Sequence, residues 1–187
     1  MPSRSLIGIA VSVLFVLAGA PSSSAAETTS PGQLFAFGYN DYGQLGSPLN
    51  DESEIGNPAP ALVALPGASG RLTQVAAGSE FSLALTSTGQ LYAFGSNEFG
   101  QLGSAGNAGS PEQESNPVPA LVTLPGASGP VTHIAAGQLH SLALTSTGQL
   151  YAFGSNQYGQ LGTEVNSGTE TPNPTPALVT LPPRKAR

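Results

Sequence analysis

Apolar and polar residues alternate in short segments along this chain, and the segments recur at a regular interval. The segment HSLALT at 140–145 places Leu142 and Leu144 on one side, with serine, alanine and threonine on the other. A two-residue alternation is typical of a β-strand. No segment after residue 26 keeps the apolar spacing of a helix without interruption by Gly or Pro. We therefore predict an all-β fold, with further strands in this copy at 131–137, 149–154 and 175–182.

The strands belong to a tandem repeat. Residues 57–103 and 116–162 align without a gap and match at 36 of 47 positions. The repeat unit is 57 residues long from Gly32 to Gly89 and 59 from Gly89 to Gly148. Four short strands in a unit of that length are typical of one propeller blade, whereas the coils of a β-helix, the alternative, are much shorter. We predict a partial β-propeller of about two to three blades of short antiparallel strands, preceded by a signal peptide. The predicted organisation is a signal peptide at 1–26 and tandem propeller repeats at 27–187, comprising a partial copy at 32–66, full copies at 67–125 and 126–182, and an off-pattern tail at 183–187.

The first 26 residues have the features of a secretory signal peptide. Arg4 precedes an apolar run from Leu6 to Ala20, and small residues at 24–26 provide a cleavage site. A membrane anchor is the alternative, although a spanning helix needs about 20 apolar residues. We expect a protein secreted to the extracellular or periplasmic space, with no membrane contact after cleavage.

Composition excludes several classes of function. The chain has five Lys and Arg residues, 11 Asp and Glu residues and a net charge of −6, so it lacks the basic cluster that nucleic acids require. Without cysteine it has no thiol nucleophile, and it contains no GxSxG motif. Of the two histidines, His140 is interpreted as a packing residue of the repeat, and His133 has Gln74 at the corresponding position of the preceding copy. We predict no enzymatic activity, no cofactor and no metal site.

Acidic residues concentrate in the variable segments that follow each GQLG. These segments are predicted to be partner-binding loops, for which a protein with a basic surface is one interpretation and a solvated acidic rim is another. Calcium binding is the third, because hard oxygen ligands suit that ion, but Ile55 interrupts the alternating oxygen donors that such a loop needs. The candidate residues are Asp51, Glu52, Glu54, Glu112, Glu114, Glu164 and Glu170.

The segment AAGQLHSLALTSTGQLYAFGSNQYGQLG at 135–162 resembles the repeat of the regulator of chromosome condensation family. The matching residues are Gly137, His140, Gly154, Asn156, Gly159, Gln160, Leu161 and Gly162. The second copy matches similarly, with Phe81 at the histidine position. The resemblance covers 32–182 and implies a seven-bladed ring, whereas this chain holds about three repeats. A chain with open terminal blades is expected to self-associate through its open propeller faces.

The resemblance implies a non-enzymatic protein–protein interaction module with an unidentified protein partner. Several alternatives stay open. The chain can be a truncated remnant of a longer seven-bladed propeller, a guanine-nucleotide exchange factor like the founder of the family, or an inhibitor of a secreted enzyme. A carbohydrate-active enzyme would need two carboxylates at a defined separation. Fold alone does not decide among these functions.

Overall fold

Three antiparallel sheets form the structure. This computed structural model describes residues 12–16, 32–110 and 114–182. All elements within these ranges are strands: β1 (Ser12–Val16), β2 (Gln33–Gly38), β3 (Asn57–Val63), β4 (Leu72–Ala77), β5 (Phe81–Thr86), β6 (Leu91–Gly95), β7 (Ala120–Leu121), β8 (Val131–Ala136), β9 (His140–Thr145), β10 (Leu150–Gly154) and β11 (Asn173–Leu178). The part of the chain described here contains no helix long and apolar enough to cross a membrane.

The repeat strands of each sheet come from one copy and follow chain order, and the first sheet also contains β1, which lies outside the repeats. The second sheet has the order β4-β5-β6-β7 and the third the order β8-β9-β10-β11, while the first has three strands in the order β1-β2-β3. Every pair of neighbouring strands is antiparallel. The predicted all-β fold with four-stranded, blade-like units is thus confirmed, and the chain has the strand content of a partial propeller.

Because neighbouring strands are antiparallel, the connections between them lie at two opposite ends of each sheet. The β4–β5 and β6–β7 connections lie at one end, together with their equivalents in the other sheets, and this end is here called the loop edge. The tight β5–β6 and β9–β10 turns and the linkers between sheets (residues 64–71 and 123–130) lie at the opposite edge, called the turn edge. At the turn edge, the Ser69 amide donates to Gln90 Oε1 at 2.6 Å, and Ser128 and Gln149 repeat that bond at 2.7 Å. The two full copies therefore close their turns in the same way.

The fourth strand differs from its prediction. The sequence places it at 175–182, whereas β11 runs from Asn173 to Leu178. The side chain of Asn173 anchors its start by donating to the Gly154 carbonyl at 3.0 Å. Proline can occupy this strand because β11 lies at the edge of its sheet, where an unpaired position needs no N–H donor.

The N-terminal region also differs from its prediction. Residues 1–26 are all predicted to lie outside the fold, whereas the structure pairs Ser12–Val16 with β2. The remainder of the predicted signal peptide and the predicted tail at 183–187 lie outside the described residues. The assignment as a signal peptide therefore stays a prediction.

The core lies between consecutive sheets. One face of the second sheet packs on the third sheet, and the opposite face packs on the first sheet. The junction of the second and third sheets includes Phe81, Leu83, Leu85, Leu91, Ala93, Val131, Ile134, Ala143, Tyr151 and Phe153. The junction of the first and second sheets includes Leu34, Ala36, Val63, Leu72, Ala84, Tyr92 and Phe94. Burial between sheets is the main stabilising contribution, since each repeat has only its neighbours to pack against.

Candidate functional site

All carboxylate side chains within the described residues lie at the loop edge. The connections there carry nine of them, namely Asp41, Asp51, Glu52, Glu54, Glu80, Glu98, Glu114, Glu164 and Glu170. The turn edge carries Arg71, which is the sole Lys or Arg among the described residues and is exposed. The molecule therefore presents one strongly acidic end, and that end is the candidate functional site.

A buried asparagine organises the loop that follows the third strand of each repeat. Asn97 donates from Nδ2 to the carbonyls of Ser104, at 2.9 Å, and Gly106, and its Oδ1 accepts from the Leu102 amide at 2.9 Å. Asn40 and Asn156 make the same three bonds in their own loops. We call this arrangement the asparagine cage. It gives hydrogen-bond partners to three backbone groups of the loop that would otherwise be unpaired, and so stabilises the loop conformation.

In addition to the cage, two asparagines bond to each other where each loop returns to the sheet, and we call them the second asparagine pair. Asn107 adopts a left-handed backbone with φ of 59°, and its Nδ2 donates to Asn116 Oδ1 at 3.2 Å. The pairs Asn50–Asn57 and Asn166–Asn173 repeat this contact at 2.9 and 3.0 Å. Asparagine tolerates the left-handed region better than most residues, which explains its presence at this position in all three loops.

Neighbouring loops bind to one another along the loop edge. The backbone N–H of Asn116 donates to the Tyr42 carbonyl at 3.3 Å, and the backbone N–H of Asn173 donates to the Phe99 carbonyl at 3.0 Å. The Ser79 amide also reaches the Gln138 carbonyl, at 3.2 Å, between adjacent sheets. These bonds join the loops of successive repeats into one continuous surface.

The residues predicted from the sequence lie on three separate loops of this surface. The exposed residues of this set are Glu52, Glu54, Glu114, Glu164 and Glu170. Asp51 is half-buried, and its Oδ2 accepts from Ser115 Oγ of the next repeat at 3.4 Å. Glu112 lies outside the described residues. Within the described part of the chain, no group of three or more acidic or histidine side chains is placed to hold a metal ion. The role of these residues in partner binding stays a prediction.

Glu98 and Asp41 lie close enough to raise the pKa of Glu80, and none of these three carboxylates was selected from the sequence. Glu80 is half-buried, and burial raises its pKa, with further increases from the nearby charges of Glu98 and Asp41. Tyr39 Oη donates to Asp41 Oδ2 at 3.0 Å, and burial together with this carboxylate raises the pKa of Tyr39 to about 12. Glu80 and Glu98 come from two connections of the second sheet, whereas Asp41 comes from the first sheet and approaches Glu80 only when the sheets stack. The sequence signal that could have found them is that Asp41 and Glu98 occupy the same position of the repeat.

The histidine of the repeat motif is a packing residue at the loop edge. His140 is half-buried, and burial lowers its pKa. Its ring lies against Gly137, where an added Cβ would come within 2.0 Å of the ring. Phe81 lies against Gly78 in the same way. Glycine is therefore required at both positions, because the aromatic ring occupies the space that a Cβ would need.

Comparison with protein families identifies the repeat. The family model described as the regulator of chromosome condensation (RCC1) repeat matches residues 31–85, 88–144 and 147–187. The chain is 37% identical over 153 residues to human Protein RCC2, covering 81% of this chain and 27% of that protein. It is 34% identical over 168 residues to the human E3 ubiquitin-protein ligase HERC2, covering 89% of this chain and 3% of the ligase. The chain therefore spans about a quarter of RCC2 and a small part of HERC2.

Solved structures share the fold at lower identity. Prp20p from Saccharomyces cerevisiae superposes with a TM-score of 0.66 at 23% identity, over 80% of this chain and 34% of Prp20p. Human WBSCR16 superposes with a TM-score of 0.61 at 22% identity, over 81% of this chain and 34% of that protein. At these identities the likeness establishes the fold alone.

Proposed function

The chain belongs to the regulator of chromosome condensation (RCC1) repeat family, and from this premise we propose that it is a non-enzymatic protein-interaction module. Its loop edge would bind a partner with a basic surface. The observation that carries the proposal is the placement of all nine described carboxylates at one end of the sheets. Rows of like charge favour a partner of opposite charge by steering encounter and by penalising acidic competitors.

The rigidity of the loops supports a binding role. Each acidic loop is fixed by its asparagine cage and by the second asparagine pair, and each is joined to the next loop by backbone hydrogen bonds. A surface that is already ordered loses less conformational entropy on binding than a flexible one. Among relatives, yeast Prp20p binds Gsp1p and histones, which agrees with a propeller that acts through protein contacts.

A basic protein probe tests the proposal. Binding of a histone to the immobilised chain is measured at increasing salt, because contacts between exposed charges weaken once the Debye length falls below about 10 Å. The double variant Glu164→Gln/Glu170→Gln is expected to bind several-fold more weakly at low salt. Both residues are exposed, so the substitutions should leave the fold intact.

The matched control changes net charge equally at the other edge. Ala68→Lys/Ala127→Lys adds two positive charges to exposed positions of the turn edge, as the glutamine variant removes two negative charges from the loop edge. If both variants weakened binding equally, net charge rather than the loop edge would govern association, and the proposal would fail. If the chain accelerated nucleotide release from a small GTPase, it would be an exchange factor, and the proposal that it is non-enzymatic would fail.

Self-association is a second proposed interaction, supported by a different surface. The side of the third sheet that faces away from the second sheet carries Leu142, Leu144 and Leu150, all half-buried. We call this side the outer face. The equivalent leucines of the second sheet are covered by the third sheet. A second copy of the chain offers the same kind of covering surface, in a head-to-tail arrangement.

Sedimentation velocity over a range of concentrations tests this arrangement. The chain is expected to form concentration-dependent oligomers, and Leu144→Lys is expected to shift them toward monomer, because a charge would be buried at the contact. Thr147→Lys, at an exposed turn-edge position, provides the control. A monomer at every concentration would contradict self-association. Secretion to the extracellular or periplasmic space stays part of the proposal, and detection of the chain outside the cytoplasm would support it.

A further inference from the structure

Among the described residues, the first sheet contains no counterpart from the repeat of the two strands with which each of the other sheets begins. Its β2 corresponds to β6 and β10, and β3 corresponds to β7 and β11, because Ala36, Ala93 and Ala152 occupy one position of the repeat. Nothing in the repeat sequence supplies an equivalent of β5 or β9 to this sheet. The edge of β2 that faces away from β3 would therefore leave a row of backbone groups without partners.

The strand β1 fills this edge in the register of a repeat strand. Val13 pairs with Ala36 and Leu14 with Phe35. In the second sheet Leu83 pairs with Ala93 and Ala84 with Tyr92, and in the third sheet Leu142 pairs with Ala152. The five residues of β1 thus occupy the positions of 82–86 and 141–145.

The amino-acid sequence of β1 follows that of the strand it replaces. Residues 12–16 read SVLFV, and residues 82–86 and 141–145 both read SLALT. Serine begins all three segments at the same register position, opposite Phe37, Phe94 or Phe153. Apolar residues occupy the next three positions in each case. The neighbouring sheet also meets β1 as it meets a repeat strand, because β1 contacts β4 as β5 contacts β8.

We propose that the outer edge of β2 is a binding site for a β-strand with the pattern of the repeat's second strand, and that residues 12–16 are its intramolecular occupant. Strand addition at a sheet edge gains main-chain hydrogen bonds, and register selects the sequence. The segment predicted to direct export would thus also complete the first sheet of the intact chain. The inference is independent of the proposed role of the loop edge.

Disulfide trapping in the full 187-residue chain tests the pairing, with no native cysteine to interfere. The variant Val13→Cys/Ala36→Cys joins two Cα partners, whose separation in an antiparallel pair suits a disulfide. Leu83→Cys/Ala93→Cys at the same register of the second sheet is the positive control. Val13→Cys/Leu34→Cys, displaced by two residues, is the negative control. Intact mass establishes that the N-terminus is retained.

The proposal predicts an intramolecular disulfide in the Val13/Ala36 variant with a yield close to that of the positive control and about tenfold above the displaced pair. A yield no higher than that of the displaced pair, while the positive control forms its disulfide, would overturn the proposal. A disulfide-linked dimer would also overturn it, because the occupant would then come from a second copy.

Hydrogen exchange gives a second readout that does not need a disulfide. Leu14→Pro removes one backbone donor from β1 and should disrupt the pairing. Amides of the peptide that contains β2 are then expected to exchange faster, whereas those of β6 stay protected and show that the protein is folded. Leu14→Ala is the matched control and should leave β2 protected. Unchanged exchange of β2 in Leu14→Pro would contradict the inference.

Discussion

The second and third sheets share the sixteen residues SLALTSTGQLYAFGSN, yet the same leucines are buried to different extents. Leu83, Leu85 and Leu91 are each 1% exposed in the second sheet. Their counterparts Leu142, Leu144 and Leu150 are half-buried, because no further sheet follows the third one within the described residues. Identical sequence therefore gives identical strands, while the neighbouring sheet decides how much each strand contributes to stability.

The largest expected difference between the two copies comes from removing one of these leucines. Leu83→Ala leaves a cavity between two sheets and should destabilise the second sheet by about 2–5 kcal/mol. Leu142→Ala removes a half-exposed side chain, and we expect a loss below about 1.5 kcal/mol. Native-state hydrogen exchange of β5 and β9 measures each loss where it occurs. Equal losses in a dilute sample would show that the outer face of the third sheet is covered within the monomer.

Glycine substitutions should give the next largest difference. Gly100 and Gly159 have φ of 85° and 75°, so alanine is strained at both positions. At Gly100 an added Cβ would lie 2.4 Å from Pro174 of the next repeat, whereas at Gly159 the nearest atom is Ser167 Oγ at 3.7 Å. Gly100→Ala should therefore cost about 1–3 kcal/mol more than Gly159→Ala, as overpacking does. Urea denaturation of both variants measures this difference, and equal midpoints would contradict the close approach of the repeats.

Acid should weaken the third sheet through His140, while the second sheet has Phe81 at that position. Burial lowers the pKa of His140, so the folded state binds fewer protons than the unfolded state, and stability declines as pH falls through the usual value of 6.5. The side chain is half-buried, and we expect a loss below about 1 kcal/mol. His140→Phe should remove this dependence. The measurement is hydrogen exchange of β9 between pH 7 and pH 5, corrected for intrinsic rates, and an unchanged slope in the variant would assign the effect to another group.

The asparagine cages should show no difference between the copies. Asn97 and Asn156 are each almost fully buried and bond only to their own loops. Replacement of either by alanine leaves buried backbone groups without a partner, and we expect both variants to lose about 1–3 kcal/mol. Thermal unfolding of the two variants provides the comparison. A much smaller loss for Asn156→Ala would mean that the cage depends on the neighbouring sheet.

The sequence predicts the repeated strands well because their alternation is local. The predicted segment at 140–145 coincides with β9. Properties that arise between sheets were not predicted. Asp41 of the first sheet approaches Glu80 of the second sheet only after stacking. The asparagine cage lies within one loop, and it was also not predicted, because its bonding partners are seven and nine positions from the asparagine. The pairing of 12–16 was missed because an apolar N-terminal run has the composition of an export signal as well as that of a strand.

The closed asparagine loops have an evolutionary consequence. Each loop is anchored at its start by the cage and at its end by the second asparagine pair. The segment between these anchors can therefore change in sequence or in length without altering the sheet. The segment after GQLG already differs in length between copies, with ten residues at 47–56 and twelve at 104–115. The loops can therefore diversify in sequence and length while the strands keep the residues that pack the sheets together.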